Sequence, residues 1–335
     1  MKKLIFALAA IALAACSNEE TIERNRTEAI SFDKVFVDNS TRSVNDPSLT
    51  GANIANFAVY GVVKGETDAA PIFDNETVSG STTTDWTYAS SAVQYWVEGA
   101  KYNFAAVAPA SCGQDGAFVY VDDAWKTTLS FTNNGTTDLL YAQPVEMTGQ
   151  VAGSNTDVAF TFRHTLSKVK FSFENNYVAT GTKVAVENIQ ITNAHTTANV
   201  VLDDATVWSA QDATTPLVLS FGDATDNEAT TDVKENVAVA YAAGAIYESQ
   251  NELFLIPSSV SYDYNVTYTV KIYMGNTLIK TINHETTLSF APAAGTSYDV
   301  KAVLTAANVD DVAQEPIQFT VTAIDGWANG TVDNL

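Results

Sequence analysis

The groups with chemical capacity in this 335-residue chain are three histidines, two cysteines, 39 carboxylates and four arginines. His164, His195 and His284 lie far apart, and none stands in an HxxxH or HExxH spacing, so a zinc site is not expected. Nothing singles out two of the carboxylates as the acid and base of a glycosidase. Asp223–Glu235 has the acidity of a calcium loop, but it lacks the mid-loop glycine and carries Lys234 at the twelfth position. No GxSxG, phosphate-loop or GxGxxG element is present. Cys112 sits in a Pro-Ala-Ser-Cys-Gly loop with no histidine or basic neighbour to activate a thiolate, so it reads as inert. No enzyme activity, cofactor or metal is expected. The arginines are more informative: Arg24, Arg26 and Arg42 flank one short apolar stretch, and only Arg163 stands elsewhere. Arg42 follows that stretch in a polar turn and is a candidate cleavage site for an Arg-specific protease. Arg24 and Arg26 are secondary candidates, because a cut there frees only the preceding linker. The alternative reading of Arg42 is a surface turn arginine.

Cys16 has a different setting. A basic head, Met1-Lys2-Lys3, precedes an apolar run from Leu4 to Ala15. The run falls short of the roughly 20 residues that span a bilayer, but it has the length of a signal-peptide core. Leu13-Ala14-Ala15-Cys16 resembles the bacterial lipobox, which implies a signal peptide over 1–15 and a lipid on Cys16. An ordinary secretory signal with a chance cysteine is the competing reading. Residues 16–27, beginning with the acidic Ser17-Asn18-Glu19-Glu20, read as a flexible tether. With Cys16 taken up by the anchor, Cys112 has no disulfide partner, and stability must come from the core. The net charge of −22 argues against nucleic acid or anionic lipid headgroups as partners.

The stretch between the arginines has the character of a strand. In Ile30–Val37, Ile30, Phe32, Val35 and Val37 alternate roughly with polar residues. Beyond it the chain reads as all-β. Short runs rich in Val, Thr, Tyr and Phe recur about every ten residues between Gly, Asn and Asp turns, which points to β-sandwiches. Strands are expected at Asn56–Val63, Trp86–Tyr88, Gln94–Val97, Tyr102–Pro109, Thr128–Phe131 and Asp138–Ala142, within an N-terminal sandwich over 28–150. A C-terminal sandwich over 151–335 takes two strands in Val158–Phe173, with Lys168, Lys170 and Ser172 facing out. Further strands there are Lys183–Asn193, Asn199–Leu202, Glu252–Pro257, Asn265–Tyr273, Thr277–His284, Tyr298–Leu304 and Ile317–Ile324. Gly275-Asn276 is read as a hairpin turn. Trp86, Tyr88, Tyr95, Trp96 and Trp125 offer a sugar platform, but their strand context favours packing.

Several fragments recur together: YWVEGAKYNFAAVAPA (95–110), DLLYA (138–142), FRHTLSKVKFSF (162–173), ELFLIP (252–257), AGTSYDV (294–300) and IQFTVTAIDGW (317–327). With the lipobox and the early ISF…TR (30–42), they resemble the fimbrillin family of Bacteroidales, the Mfa-like proteins. The resemblance implies two tandem transthyretin-like Greek-key sandwiches exported as a lipoprotein, exposed at the outer membrane or in fimbriae. It implies a stalk, anchor or tip subunit of a type V pilus. In such assembly an Arg-specific protease removes the first strand, here Ile30–Val37, and a strand of another subunit fills the groove. Other pilin subunits would then be the partners, in support of cell adhesion. A second reading is a non-polymerising surface lipoprotein that binds glycan or protein ligands. Only eight residues follow Trp327, so a long free donor tail is not evident unless Ile317–Ile324 swings out.

Overall fold

A computed structural model describes residues 28–33, 35–37, 54–65, 69–81, 84–177, 181–202, 206–209, 216–225, 244–309 and 317–324. Residues 1–27, over which a signal peptide, a lipidated Cys16 and a tether with Arg24 and Arg26 are expected, lie outside the described residues, as do Arg42, Trp327 and most of 223–235. The regular structure among these residues is almost wholly strand, joined by turns and loops. No helix among these residues is long and apolar enough to cross a membrane.

The first sheet has seven strands. Their order is β1 (Phe36–Val37), β10 (Thr161–His164), β9 (Leu140–Thr148), β5 (Lys101–Ala108), β2 (Asn56–Lys64), β3 (Ala69–Ser81) and β4 (Thr84–Thr87). β1 runs parallel to β10, and the other pairs are antiparallel. β2 and β5 are buried nearly throughout, because both faces of the sheet are covered. One face carries Phe57, Val59, Tyr102, Phe104 and Ala106 into a cluster with Ile30, Phe32, Trp86 and Trp96. The other carries Ala58, Tyr60, Ala105 and Val107. That second face lies under the hairpin β6 (Phe118–Val121) and β7 (Ala124–Thr127), and under the sheet of β8 (Leu129–Thr132), β13 (Thr197–Val201) and β14 (Val207–Ser209). Period-two alternation thus sorts residues between two cores and not between core and water.

The remaining strands form a second sandwich. One sheet is β15 (Leu217–Gly222), β12 (Thr182–Ala194), β19 (Tyr262–Met274) and β20 (Thr277–Phe290). The other is β16 (Ala224–Thr225), β17 (Ile246–Ser249), β11 (Ser167–Asn175), β21 (Ser297–Leu304) and β22 (Phe319–Ile324), with β18 (Leu253–Leu255) also on β11. Both sheets contribute to one core, including Phe171, Phe173, Val186, Ile191, Tyr264, Val270 and Val300. The turn at Gly275-Asn276 joins Met274 to Thr277, with Gly275 at φ 61°, where a Cβ would be unfavourable.

Four local expectations change. Over Ile30–Val37 only Phe36–Val37 is regular strand, and the rest is held by isolated bridges. Gln94–Val97 likewise pairs only at Tyr95. The two strands of 158–173 go to different sheets: β10 pairs with β9 and β1, whereas β11 enters the second sandwich. Val158, Phe160 and Phe162 pack beside Phe57 in the first core, which fixes β10 there. Finally, Lys168, Lys170 and Ser172 do face away from the core of their sandwich, yet they are only 3%, 5% and 1% exposed.

Candidate functional site

Ile30, Phe32 and Val35 are 1%, 4% and 3% exposed, so the stretch between the arginines is an integral part of the first core. The Phe32 ring is packed among Phe57, Phe73, Tyr88, Phe104 and Phe160, with centroids 5.7–6.5 Å away. Such ring clusters combine a large buried area with edge-to-face geometry. The polar residues alternate outward: Asp33 is exposed, and Ser31 donates its hydroxyl to Asp157.

The backbone of this segment is bonded on both sides. On one side Ile30 N donates to Gln94 O (2.8 Å), and Trp96 N donates to Glu28 O (3.0 Å). On the other, Val158 N donates to Ser31 O (2.8 Å), and Asp33 N donates to Val158 O (3.0 Å). Phe32 bridges Trp86 in one direction and Val158 in the other. Trp86 belongs to β4, the last strand at one end of the seven-stranded sheet, and Val158 leads into β10 near the other end. Residues 28–37 therefore join the two ends of the sheet. Without them, Gln94–Trp96 and the run from Val158 would present unpaired N–H and C=O groups on facing edges. Between those edges would lie a groove lined by Phe57, Phe73, Phe104 and Phe160. Paired edges of this kind are a template for strand addition.

The start of the segment is pinned by a charged group. Glu28 Oε2 accepts from Asn155 Nδ2 (2.7 Å) and from Gly153 N (2.9 Å). These two hydrogen bonds, Asn155 first, hold the Glu28 carboxyl below its usual pKa. The Tyr88 hydroxyl donates to Ile30 O (2.8 Å), so a side chain of the bed also grips the segment.

The aromatic side chains do not assemble a sugar platform. Trp86 and Trp96 are core, and Tyr88 leans on Phe32. Trp125 lies with the cluster on the opposite face of the sheet, where its Nε1 donates to Asn103 Oδ1 (2.6 Å). Tyr95 is 45% exposed. The histidines are scattered: His164 Nδ1 meets Asp138 Oδ2 at 2.6 Å, His195 lies against Tyr262, and His284 stacks on Tyr268. Among the described residues no three His, Cys, Asp or Glu side chains gather as metal ligands. Burial pushes the Cys112 thiol up to about 11, away from thiolate chemistry.

Sequence reasoning singled out the apolar face of the segment but missed its bed. Gln94 and Val158 act through backbone atoms, and no residue type marks them. The aromatic runs Trp86–Tyr88 and Gln94–Val97 and the apolar spacing of Val158, Phe160 and Phe162 signalled strands and a buried face, but not that they flank this segment.

Comparison with known proteins adds to this geometry. The family model described as fimbrillin-like matches residues 41–327. No curated protein matches the chain. Among solved structures, the chain is similar to a candidate cell adhesion protein of Bacteroides ovatus, with 14% identity, 91% of this chain and 99% of that one covered, and a TM-score of 0.54. That likeness confirms the all-β fold. A candidate cell adhesion protein of Bacteroides uniformis shows 13% identity, coverage of 89% and 97%, and a TM-score of 0.47. The fimbrial anchor protein Mfa2 of Porphyromonas gingivalis shows 14% identity, coverage of 88% and 99%, and a TM-score of 0.31.

Proposed function

This chain belongs to the fimbrillin-like family, and from that premise we propose that it is a lipid-anchored subunit of a type V-like fimbria that assembles by strand exchange. The family is one of structural proteins, so the chain is of a fimbrial or adhesion type and not an enzyme. The observation that carries the finer reading is the double bridge at Phe32, which makes residues 28–37 the piece closing the first sheet. Cleavage after Arg42 severs that piece from the rest of the chain. A strand from a second subunit then enters the groove, gaining main-chain hydrogen bonds on both sides and the Ile30 and Phe32 pockets. The contact is head-to-tail and does not close on itself, so it propagates as a fibre.

β22 suits the role of donor. Among the described residues it pairs with β21 alone, so leaving its sheet breaks one ladder and withdraws Phe319 from Phe171, Phe173 and Tyr268. The residues leading into β22, Ile317-Gln318-Phe319, repeat the spacing of Ile30-Ser31-Phe32. At the other end, a lipid on Cys16 holds the precursor at the outer membrane. Several acyl chains anchor firmly, each buried methylene adding about 0.8 kcal/mol.

The test is to digest the mature protein with an Arg-specific protease and resolve the products by size. A ladder of oligomers is expected from the parent and not from Arg42→Ala. Cleavage after Arg42 that leaves monomers at every concentration overturns strand exchange and favours the non-polymerising binding protein. Equal polymerisation of Arg42→Ala removes Arg42 as the switch.

A further inference from the structure

β11 places Val169, Phe171 and Phe173 in the core of the second sandwich and turns Lys168, Lys170 and Ser172 to the opposite face, where all three are buried. Buried lysines call for an account, since an ammonium is costly to remove from water. β21 lies alongside β11 in parallel, in unbroken register from Lys168↔Ser297 to Asn175↔Leu304. This register sets Lys170 directly opposite Asp299. Phe171 and its partner Val300 both enter the core, so Lys170 and Asp299 share the other face, one strand spacing of about 4.8 Å apart. On the far side of β11, Glu248 of β17 receives the Lys170 ammonium, Nζ to Oε1 being 2.5 Å. Asp299 Oδ1 is buried with no hydrogen-bond partner.

We propose that Lys170 and Asp299 become joined by an intramolecular amide bond, formed without a cofactor, with Glu248 as the proton-transfer group. The other buried lysine of β11 and the nearby Lys301 do not share this arrangement. Lys168 and Lys301 each pair with a glutamate, at 3.0 and 2.7 Å, but the residues opposite them across β11 and β21 are Ser297 and Ser172. Of these three lysines, Lys170 alone has a carboxyl directly opposite on the parallel strand.

The reactants suit the step. An amine is nucleophilic only when neutral, and a carboxyl accepts attack only when protonated. Glu248 takes one proton from the Lys170 ammonium, leaving a neutral amine beside a neutral acid. Burial raises the Asp299 carboxyl pKa against the opposing pull of the Ser172 hydroxyl first and of Lys170 second, which favours its acid form. Lys170 Nζ then bonds to the Asp299 carbonyl carbon. A second nitrogen proton passes through Glu248 to the departing hydroxyl, which leaves as water as the C–O bond breaks. The products are one amide, one water and a protonated Glu248, so atoms and charge balance with no oxidant or activating group. Two charges that burial disfavours are replaced by a neutral group, and the fixed register supplies the proximity. The bond would tie β11, where the chain enters the second sandwich, to β21, the strand that holds β22.

The test is intact mass and peptide mapping of the full mature chain under denaturing conditions. A mass lower by one water, with a branched peptide joining Lys170 to Asp299, is the expected result. Lys170→Arg restores the full mass, and Glu248→Gln slows bond formation about 100-fold or more. A full-mass parent with Lys170 and Asp299 in separate linear peptides overturns the proposal, as does a lost water mapped elsewhere. The parent's map decides the matter even if a variant fails to fold. A Glu248→Gln protein that cross-links at the parent's rate overturns the role given to Glu248.

Discussion

Replacing Phe32 by alanine should be among the most costly single truncations on the N-terminal segment. The ring is 4% exposed and sits among five other aromatic rings, so alanine leaves a cavity that a ring cluster fills poorly. Buried Phe→Ala changes cost about 3–5 kcal/mol. The backbone bonds of the segment are untouched by the change, so the loss is one of packing. Asp33→Ala, one residue on and exposed, should stay within about 0.5 kcal/mol. The assay is denaturant unfolding of the uncut mature protein followed by tryptophan fluorescence, since Trp86 and Trp96 lie in the same cluster. The midpoint should fall with little change in slope. A Phe32→Ala cost below about 1 kcal/mol, or one equal to that of Asp33→Ala, would refute the placement of the segment in the core. The same magnitudes bear on assembly. Ile30, Phe32 and Val35 each contribute about 1.5–3 kcal/mol by burial. A domain is stable by only about 5–15 kcal/mol in all. Under the proposed strand exchange, a subunit that lost the whole segment would be left marginal and so would be driven to accept another strand.

Three further outcomes follow from the same geometry. A synthetic peptide of residues 28–37, added in excess during Arg-specific digestion, should suppress the oligomer ladder, while its Phe32→Ala version should not; equal suppression by both peptides would count against a pocket for Phe32. Glu28 has a folded pKa lowered below 4.5, so its bonds to Asn155 and Gly153 persist above the unfolded value and are lost as pH falls through the folded one. The Gly153 amide resonance should shift with a midpoint below 4.5 in the parent and lose that transition in Glu28→Gln; an unchanged titration in the variant would reassign the contact. Gly149→Ala should cost roughly 1–3 kcal/mol in thermal or chemical unfolding, because a Cβ there would clash with the Val97 carbonyl oxygen and a backbone atom cannot step aside; a neutral result would mean that this crossing has room for a methyl group.

Much of the fold was legible because its signals are local. Asn265–Tyr273, Gly275-Asn276 and the strand after them carry alternation and turn chemistry in sequence, and they form β19, the hairpin turn and β20. β3 was hidden by Pro71, Asp74, Asn75 and Gly80, turn formers that the sheet absorbs through irregular register and a positive φ at Asn75. The β6–β7 hairpin turns at Asp122-Asp123 with both φ positive, a geometry that Asn-Gly would have announced and two aspartates do not. The apolar face of the first segment was readable from Ile30 and Phe32. Its pairing with Gln94 and Val158 was not, because backbone bonds between positions far apart in the chain leave no trace in residue type. The burial of Lys168 and Lys170 was likewise invisible, since alternation says which face a residue takes and not what lies above that face.

Assembly by strand exchange requires that subunits give up residues 28–37. Polymer formed after Arg-specific digestion can be purified, denatured and analysed by mass spectrometry for peptides from that segment. The account predicts subunits that begin at Ser43 and polymer essentially free of residues 28–37. Polymer that retains those residues in equal number with its subunits would contradict it, for the sheet would then be closed by its own strand.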